Sequence, residues 1–253
     1  MNAVDVLPLP RLARIYAADA WYEFLRLLRA PGAAVPMLAF PAMFYLLFGV
    51  VFGGGGPQQA VYVLGSMAAF GVMAPGLFGF GIGVAVDRER GLLALKRALP
   101  VPPGAYLAAK MAMAMLFALL IFMILAVLAA GVGGVRLAAA QWLGLLGAML
   151  LGVLPFCAIG LLVGTWASAQ AAPAIANLIY LPMSFLSGLW VPLKAMPHVL
   201  QQLAPLWPAY HLGRLSLRAV GMASAPVLPH VEALLAMTAV FFALALRRLR
   251  RVG

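Results

Sequence analysis

The side chains able to do chemistry are few and gather in one place. Between Asp87 and Lys110, in DRERGLLALKRALPVPPGAYLAAK, stand seven charged residues: Asp87, Arg88, Glu89, Arg90, Lys96, Arg97 and Lys110. Mixed charges interleaved with spaced leucines suit ion pairing and docking rather than bond-making. Elsewhere the usual chemistries fall away one by one. The three lysines are followed by Arg97, Met111 and Ala195, so there is no GxxxxGK[ST] phosphate-binding loop. HExxH is absent, and Ser187 in FLSGLW is outside any GxSxG setting, which leaves metalloproteolysis and acyl transfer without support. The one cysteine, Cys157, sits in an apolar run and reads as a packing residue. His198, His211 and His230 could share a metal, but their spacings of 13 and 19 residues match no ligand pattern, so solvated or hydrogen-bonded histidines are expected.

The elements that must hold these groups belong in a bilayer. Of 253 residues 66% are hydrophobic and 9% charged, which excludes an ordinary water-soluble domain. A spanning helix needs about 20 mostly apolar residues. Six runs qualify, at 33–52, 61–86, 107–130, 141–166, 171–191 and 228–246. A single all-α transmembrane domain over residues 1–253 is therefore expected, with no stretch left for an aqueous catalytic domain.

The net charge of +11 could suggest nucleic acid, yet the bases cluster where the apolar runs stop. With a cytoplasmic N-terminus, Arg11, Arg14, Arg26, Arg29, Arg88, Arg90, Lys96, Arg97, Lys110, Arg247, Arg248, Arg250 and Arg251 lie inside, against Arg136, Lys194, Arg214 and Arg218 outside. Thirteen against four obeys the positive-inside rule and puts both termini in the cytoplasm. The apolar run behind the N-terminal segment is too long for a typical cleaved signal peptide and is expected to be a retained anchor.

Around the spans, residues 11–30 form an amphipathic interfacial helix. Arg11, Arg14, Asp19, Glu23, Arg26 and Arg29 share one half of the wheel, and Ala17, Trp21, Phe24, Leu27 and Leu28 the other. Gly79 and Gly83 in the second span, and Gly160 and Gly164 in the fourth, predict close helix packing. Residues 192–227 are too broken by proline to span and too apolar for an exposed loop. Re-entrant external helices are expected there, with Trp190, Trp207 and Tyr210 at the outer headgroups.

The span interiors hold no Asp, Glu, Lys or Arg. Gradient-driven carriers keep such residues as relays or ion ligands. Lacking both relay and nucleotide loop, the chain must draw on a partner for any uphill movement. That directs attention back to residues 87–104, the largest cytoplasmic loop. Arg88 to Leu99 makes about three helical turns, with Leu92, Leu95 and Leu99 on one face and Pro100, Pro102 and Pro103 as a stop.

The segment ERGLLALKRALPVPPGAYLAAK resembles the cytoplasmic loop of type-2 ATP-binding-cassette (ABC) exporter permeases. FLSGLWVPLKAMPHVLQQLAPLWPAYH is similar to that family's fifth span and external helices. The resemblance implies a non-enzymatic membrane subunit that pairs with a second copy and with two separate ATPase subunits, which bind the ATP and magnesium. It carries the ATPase contact onto Arg88, Glu89, Gly91, Leu92, Leu95, Lys96 and Arg97. The short uncharged loop Ala167 to Gln170 is expected to contribute little. The setting implied is a bacterial cytoplasmic membrane, and the cargo a hydrophobic or amphipathic drug, lipid or glycan-like molecule. Phe40, Phe44, Tyr45, Tyr180 and Phe185 are candidates to line its path. A passive channel, which would need polar pore-lining residues, and a non-transporting scaffold or assembly protein are the rival readings.

Overall fold

The computed structural model describes residues 9–52, 54, 56–93, 95 and 104–252, and these are helical or irregular with no strand. The order is α1 (Leu9–Leu28), α2 (Pro31–Val51), α3 (Pro57–Glu89), α4 (Ala105–Gly131), α5 (Ala139–Trp166), α6 (Ala172–Leu186), α7 (His198–Leu203), α8 (Pro208–Ala219) and α9 (Val227–Val252). Among the described residues, five helices are long and apolar enough to cross a bilayer: α2, α3, α4, α5 and α9 up to Leu249. With backbone hydrogen bonds closed inside each helix, such segments satisfy their polar groups without water. The chain is a multi-pass membrane protein.

The expected span at 171–191 is shorter than its apolar run. α6 has 15 residues, roughly 22 Å against a hydrocarbon core of about 30 Å. Pro173 stands in its first turn, Pro182 lies inside it, and Gly188 ends it with φ +79°. The chain nevertheless runs from one end of the bundle to the other here. Ala167 lies beside Arg88 at the end of α3, while Trp190 packs on Phe44 of α2 at 4.5 Å. As a result α1 and the last turns of α9 occupy the same end: Arg26 bonds Asp87, and Arg248 bonds Thr165 next to Arg88.

α3 is not uniform. From Pro75 to Ile82 it winds as a π-helix, in which residues five apart, rather than four, fall on one face. Gly76 and Gly81 therefore meet α5, not the Gly79–Gly83 pair that α-helical spacing predicts. A Cβ on Gly76 would stand 2.7 Å from the Cys157 nitrogen, and one on Gly81 2.7 Å from the Gly160 carbonyl. Gly79 faces Leu27 of α1 instead, and Gly83 faces the Lys110 ammonium. Around this crossing Phe70, Leu77, Phe80, Phe117 and Phe156 are buried, while α2 and α9 leave most of their apolar surface outward, as lipid contact permits.

On the other end, α8 buries Ala209, Leu212 and Leu215 against the bundle. Trp190, expected at the headgroups, turns inward: it is half-buried against Phe44, Phe48 and Phe70 and donates its indole N–H to Ser184 at 3.0 Å.

Candidate coupling site

α1 was read as an interfacial helix with its bases toward lipid, yet its polar face turns partly into the protein. Glu23 and Arg26 sit one turn apart on α1, and Tyr106 and Lys110 one turn apart on α4. Asp87 enters between them from the last turns of α3. Lys110 Nζ lies 3.0 Å from Glu23 Oε2 and 3.0 Å from Asp87 Oδ2. Arg26 Nη2 reaches Asp87 Oδ1 at 3.0 Å, with Glu23 Oε1 3.6 Å from Nη1. The Tyr106 hydroxyl donates to Asp87 Oδ2 at 2.7 Å.

The side chains of Lys110 and Asp87 are 1% and 2% exposed, so none of these charges relies on water. Isolated, each would be very costly at the edge of a bilayer. Together two carboxylates and two cations cancel. Burial works against the Arg26 charge, but Glu23 and Asp87 outweigh it and hold that guanidinium above its usual value. Gly83 makes the space: a Cβ there would stand 2.9 Å from Lys110 Nζ.

The next two residues face other elements. Arg88 donates to the Thr165 carbonyl and, at 2.7 Å, to the Ala167 carbonyl, where α5 ends with unpaired acceptors and the negative end of its dipole. Arg248 of α9 donates to the same Thr165 oxygen at 3.4 Å and lays its guanidinium 4.0 Å over Trp166. Glu89 Oε1 accepts the Ala169 N–H at 2.9 Å. The 167–170 loop, expected to contribute little, is thus gripped through its backbone.

Beyond Glu89, Gly91 turns with φ +71° and a new helix begins, Leu95 N–H bonding the Gly91 carbonyl at 3.2 Å. Leu93 is buried, Leu92 half-buried and Leu95 60% exposed. The leucine ridge thus has an unforeseen anchor in Leu93 and an outward point in Leu95. Lys96, Arg97 and Leu99 lie outside the described residues.

A cavity of about 670 Å³ opens beside the charged cluster, between α1, α2, α3 and α6. Glu23, Arg26 and Lys110 form its polar end; Met37, Phe40, Phe78, Met113, Pro173, Asn177 and Tyr180 line the rest. Of the path candidates, Phe40 and Tyr180 are here. Phe44 belongs to the Trp190 cluster, Tyr45 is fully buried in the core and Phe185 lies on the outer surface. These three line neither this cavity nor a second one, of about 490 Å³, between Phe48, Tyr62 and Trp190.

Among the described residues no group of three or more His, Cys, Asp or Glu could hold a metal. His211 and His230 do meet, Nδ1 to Nδ1 at 2.9 Å, with His211 Nε2 2.9 Å from the Pro205 carbonyl. That carbonyl only accepts, so His211 carries its proton on Nε2 and its Nδ1 accepts from His230. Burial lowers the His211 pKa, opposed by the Pro205 hydrogen bond.

Spacing could not reveal this cluster. The available signal was the scarcity of acids: in a chain with six Asp and Glu, two lie beside span ends.

Residues 16–219 match the family described as ABC-2 type transporter. Over 196 residues the chain is 30% identical to the Bacillus subtilis (strain 168) protein named "Putative transport permease YvfS", the match covering 76% of this chain and 79% of that one. The family match takes in Glu23, Asp87, Arg88, Glu89, Tyr106, Lys110 and Thr165, and stops short of Arg248. With its apolar helices and this match, the chain belongs to the ABC-2 type transporter family, as a membrane permease component.

Proposed function

We propose that this chain is the permease half of an ATP-driven exporter, moving a hydrophobic or amphipathic molecule out of the cytoplasm. A separate ATPase supplies the energy and docks on the loop that starts at Gly91, through Leu92 and Leu95 and the neighbouring Lys96 and Arg97. Two permease copies and two ATPase subunits make the working complex, in a bacterial cytoplasmic membrane with both chain termini inside. Residues 192–227 close the outward side.

One observation carries this reading: the cavity between α1, α2, α3 and α6 ends on Glu23 and Lys110, and Asp87 joins that cluster directly to the docking loop. Loop displacement would thus act on the cavity through rigid, buried contacts. The cavity also favours a class of cargo. Its walls are mostly apolar, and the charges at its polar end are paired with each other, leaving no surplus charge for an ionic headgroup. An apolar body with a neutral polar end fits best.

The test is co-purification with the ATPase encoded beside the gene, followed by ATP-dependent uptake of lipophilic dyes into inside-out vesicles. A wild-type permease that retains no ATPase, or that moves dye equally without ATP, overturns the proposal.

A further inference from the structure

We infer that Arg88 and Glu89 act within the chain, as positioning residues that carry displacement of the docking loop to the start of α6, and are not part of the ATPase contact. The inference rests on the exporter reading and refines the site within it.

Three consecutive residues at the end of α3 point to three different places. Asp87 is held by α1 and α4, Arg88 by the end of α5, and Glu89 by the segment that opens α6. Arg88 meets two carbonyls at once, a reach that needs the forked guanidinium; a lysine ammonium is a single point. Its partner Thr165 is shared with Arg248, so the end of α9 is tied to the same place. Glu89 holds Ala169 N–H, just before Ser168 and Ala171 set the first turn of α6: the Ala171 N–H bonds Ser168 Oγ at 3.1 Å, and the Ala172 N–H bonds the Ser168 carbonyl at 2.8 Å.

Pro173, Asn177 and Tyr180 of α6 then form one wall of the large cavity. A pull on residues 88–89 therefore reaches that wall through two backbone grips and one short helix. The residues left facing outward for a partner begin after the Gly91 turn, where Leu95 is exposed.

The contacts make a prediction about chemistry type. Glu89 works here as an acceptor, not as a charge, so Glu89→Gln keeps the Ala169 bond while Glu89→Ala loses it. Arg88→Gln loses the double grip, and Arg88→Lys restores it in part. If either side chain met the ATPase as a charge, Glu89→Gln and Arg88→Gln would both release the partner.

The experiment uses the full permease with its ATPase in nanodiscs, spin-labelled through Leu119→Cys on α4 and Leu178→Cys on α6, with Cys157→Ala. The interspin distance is read before and after trapping with ATP, magnesium and vanadate. Amide exchange at Ala169 is followed on the same samples. We expect wild type and Glu89→Gln to show the trapped-state distance change and a protected Ala169 amide. Arg88→Gln and Glu89→Ala should keep the ATPase bound and hydrolysing but lose at least half of the distance change, with Arg88→Lys between; Glu89→Ala should also lose the protection. Release of the ATPase by Glu89→Gln or Arg88→Gln overturns this inference alone, as does a full distance change in Glu89→Ala. A wild-type permease that binds no ATPase overturns the exporter reading and this inference together.

Discussion

Asp87 Oδ2 lies 3.0 Å from Lys110 Nζ, with both side chains almost completely buried at the end of two spanning helices. The pair joins α3 to α4, and Glu23 and Arg26 bring in α1. A cation with two carboxylate partners is the part of this cluster least able to be removed alone.

Lys110→Met leaves Glu23 and Asp87 facing each other with only Arg26 between. Breaking a buried pair on one side costs about 3–5 kcal/mol, so the variant should unfold earlier in detergent. Adding Asp87→Asn to Lys110→Met should recover part of the loss. A double-mutant cycle on thermal unfolding checks this, and additive losses would show that the two residues are uncoupled.

Gly83→Ala places a methyl 2.9 Å from the same ammonium. The cluster must spread or the helix must shift, a change expected to destabilise by about 1–3 kcal/mol. Gly32→Ala, with nothing within 4 Å, serves as a silent control in the same assay.

Leu95→Asp and Leu92→Asp should release the ATPase on co-purification while the permease stays monodisperse, since Leu95 is exposed and Leu92 half-buried. Leu93→Asp should instead damage the permease itself, because Leu93 is buried. Size-exclusion profiles separate the two outcomes.

Acid should loosen the other end. His211 has an ordinary value near 6.5 that burial lowers. Its neutral form is the folded one, so the stability it contributes is complete above that ordinary value and drains away as pH falls from there through the lowered value. Protonation also sets two N–H groups against each other at the 2.9 Å contact with His230, next to the Arg214 cation. Thermal unfolding should fall more steeply below about pH 6.5 in wild type than in His211→Gln.

Much of this was legible in the sequence, for reasons that also mark the limits. Long apolar runs fixed five helices, because hydropathy is a local property. The run at 171–191 overstated α6, since Pro173, Pro182 and Gly188 shorten the helix without lowering its hydropathy. Glu23 and Lys110 are 87 positions apart and Arg26 and Asp87 61, so no periodicity could pair them. The partners of Arg88 and Glu89 are main-chain groups of an uncharged loop, which side-chain chemistry alone cannot display. Gly76 and Gly81 displaced Gly79 and Gly83 at the α5 crossing because the π-helical turns changed the period.

The wide coil at Pro75–Ile82 has a bearing on how this sequence could change over time. Such a coil is equivalent to one residue inserted in an ordinary helix. Deleting a single amino acid there would regularise the winding, yet rotate everything after it by about 100°. Asp87, Arg88 and Glu89 would each face a neighbour's partner or none. The segment is thus a phase-setting spacer, tolerant of exchanges between similar residues and intolerant of any change in length.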